Sequence, residues 1–288
     1  MPARTVAAVE ELVLQTSEHR RVVRVGNTVR RPMMPWSASV HALLLHLEAV
    51  GYRYSPRFLG IDGVGREVLS FIEGSAGADG YVEGIEKGAD SWAMVVPESG
   101  LRKFGAFLRE YHDAVVSFDP PADTVWVDRA GPPMSGQTLC HGDFGPWNVV
   151  WRNNCPIGLI DWDYAYPGSP FDDIAYALEF CAPFRTDDQA LRWLRYSVPP
   201  NRRRRIEIVL EAYGGLDDLP ISAVIDGVIA RQNHSLHQVE MLAGRGLQPQ
   251  VSLVSAGHLD RLHRQIRWSE QHRSLIESFP RIPEPDQP

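Results

Sequence analysis

Hydrophobic positions in the first part of the chain change period twice. Along 20–32, RRVVRVGNTVRRP, β-branched residues stand on both sides of Gly26-Asn27, a two-residue turn signal. The pattern predicts a β-hairpin that Pro32 and Pro35 terminate. From Ser37 the spacing lengthens: Val40, Leu43, Leu44, Leu47 and Val50 fall on one helical face, with Ser37 or Ser39 as N-cap and Gly51 as stop. Residues 57–61 and 67–72 return to strand character around the turn Asp62-Gly63-Val64-Gly65. Those glycines precede no helix, which excludes a dinucleotide-binding fingerprint. A glycine-rich connector over 74–100, holding one short helix near 89–96, puts a lobe boundary at Glu73-Gly74. Beyond it Leu101, Phe104, Leu108, Tyr111 and Val115 predict a second amphipathic helix. Residues 206–213, 221–242 and 259–275 then carry helix-period apolar positions toward a proline-rich tail. The expected architecture is α+β: a strand-rich first lobe with one main helix, a hinge, and a larger, mostly helical second lobe.

With 288 residues, 44% of them hydrophobic and 23% charged, the chain has apolar surface for one large core or two modest ones. No apolar run approaches the ~18 residues of a membrane span, so no membrane partner is expected. MPARTVAAVEELV carries two glutamates where a signal peptide keeps an apolar stretch, and a cytoplasmic location is expected. The formal charge of -7 argues against a nucleic-acid partner and is compatible with a cationic small molecule. The one basic run, 202–205, points around most of a helix circumference and reads as a solvated helix start. Cys140, Cys155 and Cys181 lack CxxC spacing, so buried free thiols are expected rather than disulfides or a zinc site. No pattern along the chain sets an oligomeric state.

Candidate chemistry concentrates in LCHGDFGPWNVVWRNNCPIGLIDWDYAYPGSPFDDIAYAL, residues 139–178, where carboxylates stand among residues that favour burial. A buried carboxylate needs a donor, a cation or a metal ion. Val149-Val150-Trp151 and 156–160 read as two strands turning at Asn153-Asn154, a hairpin that would hold Asn148 and Asp161 side by side at one end. A carbonyl and a carboxylate so placed suit Mg²⁺, which takes few carboxylates plus water and phosphate. Asp143, on the preceding loop, would be free to accept a proton. This is the division of labour in kinase-type phosphoryl transfer, where a loop aspartate orients the attacking hydroxyl and a nearby Asn and Asp hold the metal. Trp147, Trp151 and Trp162 read as packing under the loop, and His112, His234 and His237 as ordinary helix residues without metal-ligand companions.

HGDFGPWN and IDWD resemble the signature of the aminoglycoside phosphotransferase and choline kinase family, which has a protein-kinase-like fold. The resemblance implies that Asp143 is the catalytic base, that His141 braces its loop, and that Asn148 and Asp161 are magnesium ligands. Asp163 stands as a ligand for a second metal or as a turn residue. Asp173, in Asp173-Ile174-Ala175, matches the element that anchors the catalytic loop from the start of a helix. By the same resemblance, 1–73 is a nucleotide-binding lobe and 74–288 a catalytic and substrate-binding lobe. The hinge falls at about 70–76, where Ser70, Phe71 and Ile72 meet adenine. ATP, or another nucleoside triphosphate, and Mg²⁺ are the implied cofactors.

Two departures accompany the resemblance. The related kinases place a lysine on the third strand and a glutamate on the following helix. Here no lysine precedes Lys87, so the phosphate-contacting cation falls to Arg30 or Arg31, and Val40 or His41 stands where the glutamate is expected. The phosphate loop at 15–19, QTSEH, contains no glycine. The function expected is an ATP- and Mg²⁺-dependent transfer of phosphate to a hydroxyl of a small molecule, aminoglycoside-like or otherwise amino-bearing. Glu179, Asp187, Asp188, Asp217, Asp218, Asp226 and Glu240 are the acidic residues available to meet ammonium groups. Two alternatives belong to other classes: a weak or silent nucleotide-binding homologue, suggested by the missing lysine and glutamate, and a metal-dependent phosphoesterase, which would need further His and Asp ligands from separate loops.

Overall fold

The computed structural model describes residues 10–16, 20–77, 89–216 and 218–277. Its first lobe is an antiparallel sheet of β1 (Leu12–Thr16), β2 (Arg21–Val25), β3 (Thr28–Arg31), β4 (Phe58–Ile61) and β5 (Glu67–Ser70), in the order β1-β2-β3-β5-β4. Gly26, at φ +58°, and Asn27 form the expected two-residue turn, pairing Val25 with Thr28. β3 then pairs with β5 so that Arg31 lies opposite Glu67 and Arg30 opposite Val68. On β5 burial alternates, turning Glu67 and Leu69 inward. The loop expected at 15–19 joins β1 to β2, and its residues 17–19 lie outside the described residues.

Helix α1 (Ser37–Ala49) lies between β3 and β4 and buries Val40, Leu43, Leu44 and Leu47 of the stripe its spacing predicts, whereas Val50, at the C-cap, is exposed. Its start differs from the expectation, because neither serine is the N-cap. Trp36 holds that position, Ser37 Oγ accepts the Met34 N–H, and Ser39 donates to the Val125 carbonyl of the second lobe.

In the second lobe α2 (Ala89–Val95) and α3 (Glu98–Val115) precede β6 (Thr138–Cys140), β7 (Val149–Arg152), β8 (Cys155–Leu159) and β9 (Tyr166–Gly168). Two short ribbons result, β6 with β9 and β7 with β8. Six described helices and a short terminal one follow: α4 (Pro170–Cys181), α5 (Asp187–Trp193), α6 (Arg202–Tyr213), α7 (Ile221–Gly244), α8 (Gln250–Ser255), α9 (His258–Gln271) and α10 (Arg273–Glu277). α3 buries Leu101, Phe104, Leu108, Tyr111 and Val115 as its period predicts. Gly105 brings it against α6, since a Cβ there would press on the Val209 carbonyl at 3.0 Å. The Tyr111 hydroxyl reaches beyond α3 to the Leu139 carbonyl at 2.7 Å, fixing β6.

The basic run is not a solvated helix start. Helical spacing puts Arg202 and Arg205 on one face, 4% and 5% exposed. There they bond backbone carbonyls that other segments leave open: Pro183 and Arg185 for Arg202; Val95, Val96 and Cys181 for Arg205. Cys140 and Cys181 are buried free thiols, whereas Cys155 is exposed. No helix among the described residues is long and apolar enough to cross a membrane.

Candidate active site

β6 delivers the chain to His141-Gly142-Asp143, and the backbone there is over-determined. Gly142 adopts φ +79°, and a Cβ would collide with the Tyr164 carbonyl, so no other residue fits without moving the loop. Asp173, in the first turn of α4 and fully buried, accepts the His141 N–H at 2.7 Å and the Gly142 N–H at 2.8 Å. His112 on α3 completes the clamp, with Nε2 3.1 Å from Asp173 Oδ2 and Nδ1 2.8 Å from the Tyr213 hydroxyl. Burial raises the Asp173 carboxyl, but His112 and the loop amides outweigh it and hold the group below its ordinary range. His112, read from the sequence as an ordinary helix residue, is thus part of the support.

His141 is buried against Trp162, its Nδ1 accepting the Asp143 N–H at 3.3 Å and its Nε2 lying 3.1 Å from the Ile160 carbonyl. That pair of bonds assigns the proton to Nε2 and leaves the ring bracing the loop, with its pKa lowered by burial. Asp143 itself is not free. Its Oδ1 accepts the Tyr176 hydroxyl of α4 at 2.5 Å, and its Oδ2 accepts Asn148 Nδ2 at 2.8 Å and, more weakly, Trp147 Nε1 at 3.5 Å. Burial outweighs these donors and pushes the carboxyl up to about 7.

The β7–β8 hairpin turns at Asn153 and Asn154, both at positive φ, and its open end is tied by the Ile160 N–H to the Asn148 carbonyl at 2.9 Å. Asp161 follows in the left-handed region at φ +61°, directly after the residue bonded to Asn148. Opposite stands Arg31, whose guanidinium meets three carboxylates: Nε to Glu67 at 2.6 Å, Nη1 to Asp161 at 2.8 Å and Nη2 to Asp163 at 2.8 Å. Arg20 adds contacts to Asp163 at 2.8 Å and Asp161 at 3.5 Å. Burial raises Asp161, yet the two guanidinium groups outweigh it and keep its pKa low; Asp163, more deeply buried beside it, is raised. Trp36 Nε1 donates to the Asp163 carbonyl at 2.6 Å.

Of the two candidate arginines, Arg31 enters the site and Arg30 leaves it, pairing at 3.5 Å with Asp62 in the β4–β5 turn. Although Val40 or His41 stands where the helix glutamate is expected, this cation does have a carboxylate partner. The partner comes from β5: Glu67 holds Arg31 with one oxygen and His41 of α1 with the other, at 2.8 Å. The alternation that buries Leu69 also buries Glu67, so strand periodicity held the signal; Tyr176 and Arg20 carried none. At the expected hinge, the Phe71 N–H is taken by the Asn27 carbonyl at 3.0 Å, Ser70 Oγ accepts the Arg57 N–H at 2.8 Å, and Arg24 lies 3.8 Å over the Phe71 ring. Ile72 packs near Gly158 of β8.

A cation at the hairpin end would find two oxygen donors. Asn148 commits its amide N–H groups to Asp143, leaving Oδ1, and both arginines approach Asp161 at Oδ1, leaving Oδ2. This set fits Mg²⁺ completed by water and phosphate oxygens. Asp163 is 4% exposed with both oxygens held by arginines, so it is closed to a second metal. Beside Asp143 opens a cavity of about 510 Å³ between the loop that carries Asp143, α4, α7 and α9. Of the acidic residues expected to line it, Glu179 does; Asp187, Asp188, Asp218, Asp226 and Glu240 do not, and Asp217 lies outside the described residues. Arg185, Arg231, Arg261 and Arg264 line it instead.

The sequence profile of the phosphotransferase enzyme family matches residues 124–208. The trifolitoxin immunity protein of Rhizobium leguminosarum bv. trifolii is 38% identical over 209 residues, covering 71% of this chain and 74% of that protein. Among solved structures, the amicoumacin kinase hAmiN in complex with AMP-PNP, Ca²⁺ and Ami superposes with a TM-score of 0.55 at 11% identity, over 91% of this chain and 88% of that one. The streptomycin-ATP-APH(2")-IIa ternary complex gives 0.52 at 11% identity, over 88% and 91%. At such identities the structural likeness establishes the protein-kinase-like fold.

Proposed function

This chain belongs to the phosphotransferase enzyme family and is a small-molecule phosphotransferase, and we propose that it moves the terminal phosphoryl group of ATP, with Mg²⁺, to a hydroxyl of its acceptor. The observation that carries the reading is Asp143: a loop carboxylate gripped by Tyr176 and Asn148 and bordering a cavity of about 510 Å³, with Arg31 bound to Asp161 at the hairpin end. In this reading an acceptor hydroxyl in the cavity donates its proton to Asp143. Its oxygen forms a bond to the terminal phosphorus as the bond to the bridging oxygen breaks, and ADP leaves with that electron pair. Arg31 and Arg20 face the phosphates, and Asn148 with Asp161 would hold a Mg²⁺ that neutralises charge on the phosphate oxygens when bound. His141, Gly142 and Asp173 act earlier, by keeping Asp143 in place.

A two-metal phosphoesterase gains no support, since the described residues assemble no group of three or more His, Cys, Asp or Glu side chains able to hold a metal. The test is Asp143→Asn, which keeps size and hydrogen bonds but removes the base. Phosphoryl transfer, followed by ³¹P NMR or coupled ADP release, is expected to fall by roughly 10²–10⁴-fold. Stabilisation of the fold by Mg-ATP, read as a thermal shift, is expected to persist. Transfer at the wild-type rate in this variant would overturn the assignment.

A further inference from the structure

The cavity beside Asp143 has a charge that the chain as a whole does not share. The chain carries a formal charge of -7, yet the cavity is lined by four guanidinium groups, Arg185, Arg231, Arg261 and Arg264, against two carboxylates, Asp143 and Glu179. Its volume of about 510 Å³ is that of a small-molecule site.

Polar groups in the wall point to a ligand as well. Arg231, 3% exposed, is fixed by its Nη2 on the Gly142 carbonyl at 2.5 Å and its Nη1 on Ser235 Oγ at 2.6 Å, while its Nε has no hydrogen-bond partner. The neighbouring Gln232, equally buried, has an Oε1 without a partner. Unpaired, both are costly: the Arg231 Nε–H is a donor that an anionic oxygen would satisfy, whereas Gln232 Oε1 needs a donor such as a hydroxyl. Arg264 is exposed and makes no ion pair among the described residues.

Resting on the phosphotransferase reading, we propose that the acceptor is an anionic hydroxyl compound, one carrying a carboxylate beside the hydroxyl that meets Asp143. A guanidinium matches a carboxylate with two parallel donors, and a cleft lined by one sign of charge concentrates ligands of the other. An amino-bearing acceptor would instead meet like charge, so this proposal departs from the cationic substrate that the motif resemblance suggests.

D-glucuronate, D-glucose and D-glucosamine share a ring and its hydroxyls and differ in charge, which makes them suitable probes of the full chain. Their binding is followed by ligand-observed NMR, in wild type and in Arg261→Gln/Arg264→Gln. Glucuronate is expected to bind tightest and glucosamine weakest, about tenfold apart, with the double variant closing most of that gap. If its melting temperature shows that the double variant does not fold, the exposed Arg264→Glu alone is used and is expected to lower glucuronate binding. Glucosamine binding as well as glucuronate, no binding of glucuronate, or a preference unchanged in the folded variant would each overturn the proposal. Release of ADP from Mg-ATP, with and without Asp143→Asn, reports separately on the phosphotransferase reading: Asp143-dependent release without the charge order would sink the anion proposal alone.

Discussion

Tyr176 sets the protonation of Asp143, the base of the proposed transfer. Its hydroxyl donates to Asp143 Oδ1 at 2.5 Å and pulls the carboxyl down, against a burial effect that raises it to about 7. A base acts only when deprotonated, so activity should fall as pH drops below that value and plateau above it. Tyr176→Phe removes the donor and leaves the burial, so the carboxyl rises further. The acid limb of the kcat/KM profile is expected to move alkaline by about one unit, with the rate on the alkaline plateau little changed. Paired pH–rate profiles of the two proteins check this. An unmoved acid limb would reduce Tyr176 to a packing role against Trp147 and Phe180, which its ring also contacts.

Between elements, the long helix α7 forms a wall of the cavity, and Asp128 holds it to the segment that follows α3. Asp128 Oδ2 lies 2.5 Å from His234 Nε2 and 3.3 Å from Gln238 Nε2, and its Oδ1 accepts Arg129 Nε at 2.9 Å. Burial raises this carboxyl, but the bonds from His234 and Arg129 outweigh it and bring it to about 2. A folded-state pKa below the unfolded value means stability that is present above about pH 4 and lost as pH falls through about 2. Asp128→Asn should therefore lower Tm by a few degrees at neutral pH, with the gap to wild type shrinking in acid. Melting curves from pH 7 to pH 2 test it; a gap independent of pH would mean that shape rather than charge holds α7.

At the scale of the molecule, Arg31 is where the lobes meet. It stands on the sheet of the first lobe and grips Asp161 and Asp163 of the second, while Trp36 and Ser39 of the same lobe reach the Asp163 and Val125 carbonyls. Arg31→Ala would leave Glu67 and Asp163 buried with less compensation, and a cost of about 3–5 kcal/mol is expected together with weaker nucleotide binding. Arg30→Ala removes a long, partly exposed contact with Asp62, for which about 0–1 kcal/mol is expected. Denaturant unfolding and nucleotide titration of each variant separate the two. Equal effects would place the phosphate grip and the joint between lobes elsewhere.

Features governed by neighbours along the chain were legible without any structure. Gly26-Asn27 makes a hairpin because Gly26 readily takes the positive φ the turn needs, the stripes of α1 and α3 follow from helical period, and Asn148 and Asp161 share the end of one short hairpin, with Asp143 on the loop that leads into it. The choice between Arg30 and Arg31 lay beyond this reasoning: adjacent strand residues point to opposite faces, and only the register of β3 against β5 tells which face is the cleft. Glu67 lies outside the motif pattern because Arg31 takes its carboxylate from the paired strand rather than from the helix. The arginine-lined cavity is not written in a chain of net charge -7, since Arg185, Arg231 and the Arg261/Arg264 pair of α9 come from three segments well separated in sequence. Local backbone preference writes itself into short patterns; which distant side chains share one buried space is decided when whole faces pack, and no pattern along a single segment records that.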